Sequence, residues 1–567
     1  MRKRVSKAGL TVNAIAGSYV VLLGLDIGES RRKGLRGFAI RRTDNTEKES
    51  YWMSGTKTFE SVEPHPAPGG QYSSLFHPFQ SFQWSDYSAK PGYSYTYTVV
   101  AMYGPVTALE QRISVSVTVA TEPVEGAEHT IHFNRGSVAT QEYARRFQNL
   151  PPTPLKKGGP SAGQAAFDWL SRGLLEGIVA FLQRAKGAGY GLRGCFYEFQ
   201  WPAVLDELRK ARERGADVSI VFDDIDVASG PHKLNEAAIA AAGIGSLTTP
   251  RRNGTLMHNK FVVLTKKGKP VAVLFGSTNL TLNGLFGHAN CTHVVENRDI
   301  AAKYLDFYTQ LLGDPATTRG SPYKQWTMDQ TPAPASAFTD GMAPVFSPRA
   351  NLDALNWYGQ LAGSAKGALF MTFAFGMSDV FRKVYGRKDD VLRVGLMDKE
   401  WNGANKEAQI AAIRALQALP NVVIAIGNRI PLTGFDRWLA EMDKIDPHAN
   451  VLWVHLKFML VDPLSKHPVV VTGSANFSAA STSTNDENML VIHDNTRVAD
   501  IYLGEYMRLY SHYAFREAVA IFLQKNPNAN PQDMKQGFLI EKGDWTADAF
   551  NPQDTTGRRA RRLYFAG

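Results

Sequence analysis

HNKFVVLT at 258–265, followed by GSTN at 276–279, returns as HLKFMLVD at 455–462, followed by GSAN at 473–476. His258 and His455 are 197 residues apart, and so are Asn279 and Asn476. Agreement in residue type, order and spacing defines an internal duplication, and a duplication decides the architecture before any single element does. The surrounding rhythm repeats too. Before the first copy, CFYEFQ (195–200) reads as a strand, VLDELRKARERG as a helix ending at a glycine, and VSIVFDD (218–224) as a strand. Before the second, ALFMTFAF (368–375) is a strand, DVFRKVYGR a helix and VLRVGLMD (391–398) a strand. Strands alternating with helices predict an α/β sheet. AFDWLSRGLLEGIVAFLQRA, ahead of the first unit, reads as one amphipathic helix.

The chemistry follows from the strand period. Side chains two apart share a face, so His258 and Lys260, and likewise His455 and Lys457, can address one pocket. Lysine offers a fixed positive charge to a phosphate oxygen. Histidine, with an ordinary pKa near about 6.5, serves as nucleophile or acid at neutral pH. The Gly-Ser-x-Asn turns allow close backbone approach, and Ser277, Asn279, Ser474 and Asn476 are candidate donors to phosphate oxygens. A pair of each suits a two-step displacement at phosphorus, in which one group attacks and another protonates the leaving oxygen. A lone His-x-Lys reads more readily as a core histidine beside a surface lysine. Two copies, each with its GSxN, do not.

These motifs resemble the phospholipase D superfamily signature, HxKxxxxD followed by GSxN, twice per site. The resemblance covers about 161–530. It implies an α/β fold of duplicated phospholipase D-like α/β/α sandwich halves forming one site on a pseudo-twofold axis. It also implies a covalent phosphohistidine, with no metal and no cofactor; neither motif presents carboxylate or Cys/His clusters at ligand spacing. The second copy carries Asp462 in the aspartate position, where the first has Thr265, and the resemblance implies a structural role there. Eleven residues beyond the motif asparagines stand Asn290 and Glu487. In tyrosyl-DNA phosphodiesterases, which the arrangement resembles here, such residues serve the histidine of the opposite half. Glu487 would then orient His258, the expected nucleophile, and Asn290 would orient His455, the expected general acid.

Outside the duplication, residues 1–122 are strand-like. In PGYSYTYTVVAMYG (91–104), Tyr93, Tyr95, Tyr97 and Val99 share one face, and ISVSVTVAT (113–121) follows. This predicts a small all-β sandwich. It resembles a fibronectin type III module, which implies a spacer or a surface for a protein or carbohydrate partner. Residues 123–160 read as a linker, 161–315 as the first half, 316–350 as a second linker and 351–530 as the second half. Residues 531–567 form a tail whose RRARR (558–562) either docks on the body through Leu563, Tyr564 and Phe565 or meets an anionic surface.

The chain has 567 residues, 44% hydrophobic and 20% charged, which excludes a disordered polypeptide. Two cysteines, Cys195 and Cys291, exclude a disulfide framework. The basic N-terminus turns apolar, but Thr11, Asn13 and Ser18 interrupt it, so a strand is expected rather than a signal peptide. That points to the cytoplasm, or to export without a cleaved leader. A net charge of +10 favours anionic partners. The expected substrate is a phosphodiester, in nucleic acid or in a membrane phospholipid. Tyr197, Phe199 and Trp201 either line a lipid mouth or belong to the core. An inactive β-sandwich adaptor is disfavoured by the intact His, Lys and Asn sets.

Overall fold

Two seven-stranded sheets carry the same strand order. The computed structural model describes residues 1–567 except 68–69, 137–140, 149, 155–157, 229, 335–340, 402, 428–453 and 526–537. The first sheet runs His129–Phe133, Cys291–Val295, Lys269–Gly276, Lys260–Lys266, Tyr190–Phe196, Asp217–Asp223, Thr248–Arg251. The second runs Met342–Ser347, Glu487–His493, Val469–Gly473, Phe458–Val461, Ala368–Phe373, Leu392–Met397, Val422–Ile426. In each, the last three strands are parallel and the others antiparallel. The parallel neighbours are joined by helices, Pro202–Glu213 in one half and Asp379–Tyr385 in the other, because a parallel pair needs a crossover. The closing helices Arg298–Leu312 and Thr496–Lys525 bring Tyr304, Phe307, Tyr502 and Tyr506 into a core that draws on both sheets. Phe307 stacks on Phe346 of the second half at 4.3 Å.

The expected single helix at the start of the first half is two, Gln164–Ser171 and Leu174–Gln183. Arg172 and Gly173 both take positive φ between them. That break lets the Arg172 guanidinium turn inward, where Nε donates to Phe133 O at 2.8 Å and Nη2 pairs with Glu505 at 2.7 Å. The stretches expected as linkers also hold regular structure. Residues 123–160 contain His129–Phe133 and the helix Gln141–Phe147; residues 316–350 contain the helix Pro322–Gln330 and Met342–Ser347. Each of the two strands is the outermost of its sheet. Edge strands of five or six residues, pairing with a partner 140 or more residues away, leave little local signal.

Residues 1–120 form two four-stranded antiparallel sheets. Tyr95, Tyr97 and Val99 lie in their shared core, with Tyr93 packed at its margin. The tail docks there as well, although its start, 531–537, lies outside the described residues. Trp545 and Ala549 join the sandwich core, and the helix Arg558–Ala566 reaches Phe370 of the second half through Tyr564 and Phe565. Gly24 makes room for it, since a Cβ there would lie 2.0 Å from Phe565 O. Leu563, expected to dock, is exposed. Arg562 is buried against Asp26 and the Phe550 ring, and Arg558 pairs with Asp548. Among the described residues, no helix is long and apolar enough to cross a membrane.

Candidate active site

The halves meet through two short backbone bridges, Met257↔Asp486 and Ala289↔Val454, related by the motif's own repeat distance. His258 N donates to Asp486 O at 2.9 Å, and Asp486 N to Leu256 O at 2.9 Å. An acid at the end of each half's second strand fixes the approach. The Asp223 carboxylate accepts from Met257 N at 2.8 Å, and Asp398 accepts from Val454 N at 3.0 Å. Each motif histidine is the next residue. Each lysine then curls back, Lys260 Nζ to His258 O at 2.7 Å and Lys457 Nζ to His455 O at 2.5 Å.

Across the dyad the two imidazoles face one another, with ring centroids 6.4 Å apart. Each is held from the opposite half. His258 Nδ1 meets Glu487 Oε2 at 2.9 Å, and His455 Nδ1 meets Asn290 Oδ1 at 2.8 Å. With Nδ1 engaged, Nε2 is the nitrogen left for a substrate. Ser474 and Ser277, expected as phosphate donors, lie deeper. Ser474 Oγ donates to Glu487 Oε2 at 2.6 Å and Ser277 Oγ to Asn290 Oδ1 at 2.8 Å. They are fully buried, one strand-step behind the histidines, and so hold the groups that hold the imidazoles. The motif glycines let neighbouring strands close up, since a Cβ on Gly276 or Gly473 would lie 2.2 Å from Cys291 O or Asn488 O. Asn279 and Asn476 each keep a buried Oδ1 without a hydrogen-bond partner among the described residues.

Asp462 sits away from the histidines. Its carboxylate accepts from the backbone N–H groups of Lys366, Gly367 and Ala368 at 2.7–3.1 Å, tying down the entry to the strand Ala368–Phe373. Thr265 lies in its strand opposite Gly191 and makes no such cap.

Burial dominates the electrostatics. It pushes His258 down to about 4, against the pull of Glu487, and pushes His455 well below the usual range with help from Lys457. Lys260 falls to about 8 through burial, and Lys457 lies well below its ordinary value through burial and then Lys260. Burial alone would raise Glu487, but His258 and Lys260 outweigh it and hold the carboxyl down. Among the described residues, no group of three or more His, Cys, Asp or Glu side chains is arranged to hold a metal ion.

Four further residues enter the site. The Tyr197 ring lies 5.2 Å from the His258 ring and 5.1 Å from Lys260 Nζ, whereas Phe199 and Trp201 pack in the core. Glu198 acts on both lysines electrostatically and accepts from Thr281 Oγ1 at 3.1 Å. The His288 ring lies 5.6 Å from that of His455. Asn134, one residue past an edge strand, donates to Leu285 O and His288 O and accepts from Asn290 N. His288 stands two residues before Asn290, so reading outward from that position was the available signal. Asn134 offers none, because the short edge strand before it leaves no local pattern.

Residues 178–312 and 428–509 match the family model described as cardiolipin synthase, PLD-like domain, a span that includes both histidines. Those residues are thus similar to a phospholipase D-like domain. No curated protein matches it. Among solved structures, polyphosphate kinase from Porphyromonas gingivalis is 14% identical over 60% of this chain, with a TM-score of 0.38. This chain spans 48% of that one. Phosphatidylserine synthase from Haemophilus influenzae Rd KW20 is 13% identical over 63% of this chain and 91% of its own, at 0.40. Nuc from Salmonella typhimurium, a phospholipase D family member, is 25% identical over 24% of this chain and 86% of its own, at 0.21. Scores this low carry no functional weight.

Proposed function

We propose that this protein cleaves or transfers a phosphodiester through a covalent phosphohistidine, as a member of the phospholipase D superfamily. One observation carries the reading: two facing imidazoles, each held at Nδ1 from the opposite half, one by a carboxylate and one by an amide. Glu487 keeps His258 in one tautomer and makes its Nε2 the better nucleophile. His258 Nε2 gives its lone pair to phosphorus. The bond from phosphorus to the leaving oxygen breaks, its electron pair staying on oxygen, and His455 Nε2–H supplies the proton. Water or an alcohol then attacks phosphorus, the bond from phosphorus to His258 Nε2 breaks with its electron pair returning to nitrogen, and the attacking oxygen's proton passes to His455. Water gives hydrolysis and an alcohol gives transfer. Lys260, Lys457, Asn279 and Asn476 surround the non-bridging oxygens.

The buried basic cluster explains how His455 obtains its proton. Without substrate, burial and then Lys457, His288 and Lys260 hold the His455 pKa well below its ordinary value. A phosphodiester anion reverses that balance and favours the imidazolium. A membrane phospholipid and a nucleic acid both present such a diester. The cardiolipin synthase-like family favours the first, and the net charge of +10 the second. The test incubates the protein and its His258→Ala variant, with EDTA, against phosphatidylcholine vesicles and against single- and double-stranded DNA. Head-group release without DNA cleavage rejects the nuclease. DNA cleavage without head-group release rejects the phospholipase. Turnover of no diester rejects the enzyme reading.

A further inference from the structure

The Asn290 amide is turned one way. Its Oδ1 accepts from His455 Nδ1 at 2.8 Å and from Ser277 Oγ at 2.8 Å, and its Nδ2 donates to Gly284 O at 2.8 Å. A carbonyl only accepts, so the end of the amide facing Gly284 O is the nitrogen. The direction matters because an amide accepts on one side and donates on the other, whereas a carboxylate accepts on both. Turned by half a rotation, Asn290 would present N–H to His455 Nδ1. An imidazolium carries N–H on both nitrogens and is disfavoured against a donor. Glu487, behind His258, has no wrong orientation.

One buried side chain holds that direction from outside the motifs. Asn134 is 1% exposed and follows the edge strand His129–Phe133. Its Oδ1 accepts from Asn290 N at 2.9 Å, and its own N donates to Asn290 O at 3.2 Å. Its Nδ2 donates to Leu285 O at 2.9 Å and to His288 O at 2.8 Å. Those bonds fix the turn Asn283–Gly287, and with it the Gly284 carbonyl that Asn290 Nδ2 meets. The turn has no slack, since a Cβ on Gly284 would lie 2.2 Å from Asn279 O. Asn134 is anchored in turn, because Arg508 Nη2 donates to its O at 3.2 Å. The edge strands place Phe133 opposite Cys291 and Phe346 opposite Asn488, so Ser347 stands in the second half where Asn134 stands in the first. One hydroxyl does not replace an acceptor and two amide donors. The half that supplies an amide carries the asparagine, and the half that supplies a carboxylate carries a serine.

We infer that Asn134 is a positioning residue for the protonation step: it holds the Asn290 amide with its oxygen toward His455, so that His455 can carry a proton on both nitrogens. The inference rests on the reading above, in which His455 is the general acid.

The test uses two synthetic diesters and the full chain. Methyl p-nitrophenyl phosphate expels a stable phenolate that needs little protonation; methyl phenyl phosphate needs an acid. Asn134→Ser, which installs the residue of the other half, is expected to lower kcat on methyl phenyl phosphate by about tenfold and on methyl p-nitrophenyl phosphate by no more than about twofold. The alkaline limb of the pH–rate profile should move to lower pH. The same substitution is then made in an Asn290→Asp background. A carboxylate accepts whichever way it turns, so there Asn134→Ser is expected to cost no more than about twofold on either diester. Thermal unfolding is followed for each variant, and Asn134→Thr goes through the same comparison if the serine variant does not fold. An equal loss on both diesters, or a loss as large in the Asn290→Asp background, overturns the inference and leaves Asn134 a structural residue. If His455→Ala itself loses the same amount on both diesters, the assignment of the acid fails, whatever Asn134 does.

Discussion

The two halves of the body share a backbone and differ in charge. Sheet order, inter-half bridges, the aspartates ahead of the histidines and the curled lysines are the same in both. The departures concentrate around the imidazoles. His258 receives Glu487; His455 receives Asn290 and His288. A duplicated fold supplies two equivalent positions facing one cleft. A few side chains then give the two positions different partners, a carboxylate for one and an amide for the other. The scaffold is symmetric because packing is indifferent to the task, and the asymmetry around the imidazoles is what the proposed split between attack and protonation requires.

Removing one imidazole breaks the comparison most sharply. His258→Ala is expected to lower kcat on any diester by at least about 10⁴-fold. His455→Ala should lose rate in proportion to how badly the leaving group needs a proton, read as the slope of rate against leaving-group acidity. If both variants lose the same amount on every leaving group, the division of labour is wrong.

Making the partners alike is the next step down. Glu487→Gln places an amide behind both histidines and is expected to cost about 10²-fold in kcat. The carboxylate is the largest influence raising the His258 pKa against burial, so its loss weakens the nucleophile. The converse, Asn290→Asp, should raise the His455 pKa and carry the alkaline limb of the pH–rate profile upward.

Acid titration separates folding from catalysis. His129, His132 and His258 are pushed down to about 4 by burial, and His288 to about 3. Unfolded, each titrates near its ordinary 6.5. Between about 4 and 6.5 the unfolded chain therefore binds more protons. Stability is fully present above 6.5 and falls as pH drops toward 4, by roughly 3 kcal/mol for a histidine shifted that far. Denaturant midpoints across this window should show the fall, and a flat profile would contradict the burial of these rings.

The smallest effect concerns the aspartate that only one copy retains. Asp462→Thr, which installs the residue of the first half, removes the acceptor of three backbone N–H groups. The expected cost is about 1–2 kcal/mol in denaturant midpoint. KM should be unchanged, because Asp462 lies away from the histidines.

Much of this was legible in the chain alone. The paired HxK and GSxN elements, their common spacing and the flanking strand–helix–strand runs required a duplicated α/β body, since residue types at fixed spacing on a strand of period two must share a face. The face 93–99 required a β-sandwich for the same reason. What the sequence left open were matters of distance through space. The edge strands at 129–133 and 342–347 were hidden because their partners are remote. Arg172 and Gly173 split a helix for a contact with Glu505, on another element. Ser277 and Ser474 turned inward because the strand beside them, not a substrate, was within reach. Asn134 and His288 joined the site through hydrogen bonds and ring contacts that no local pattern encodes. The sequence by itself named the candidate residues for the chemistry. Only the tertiary structure decided which neighbour each imidazole has, and therefore the charge it can hold, because burial and proximity belong to the folded chain.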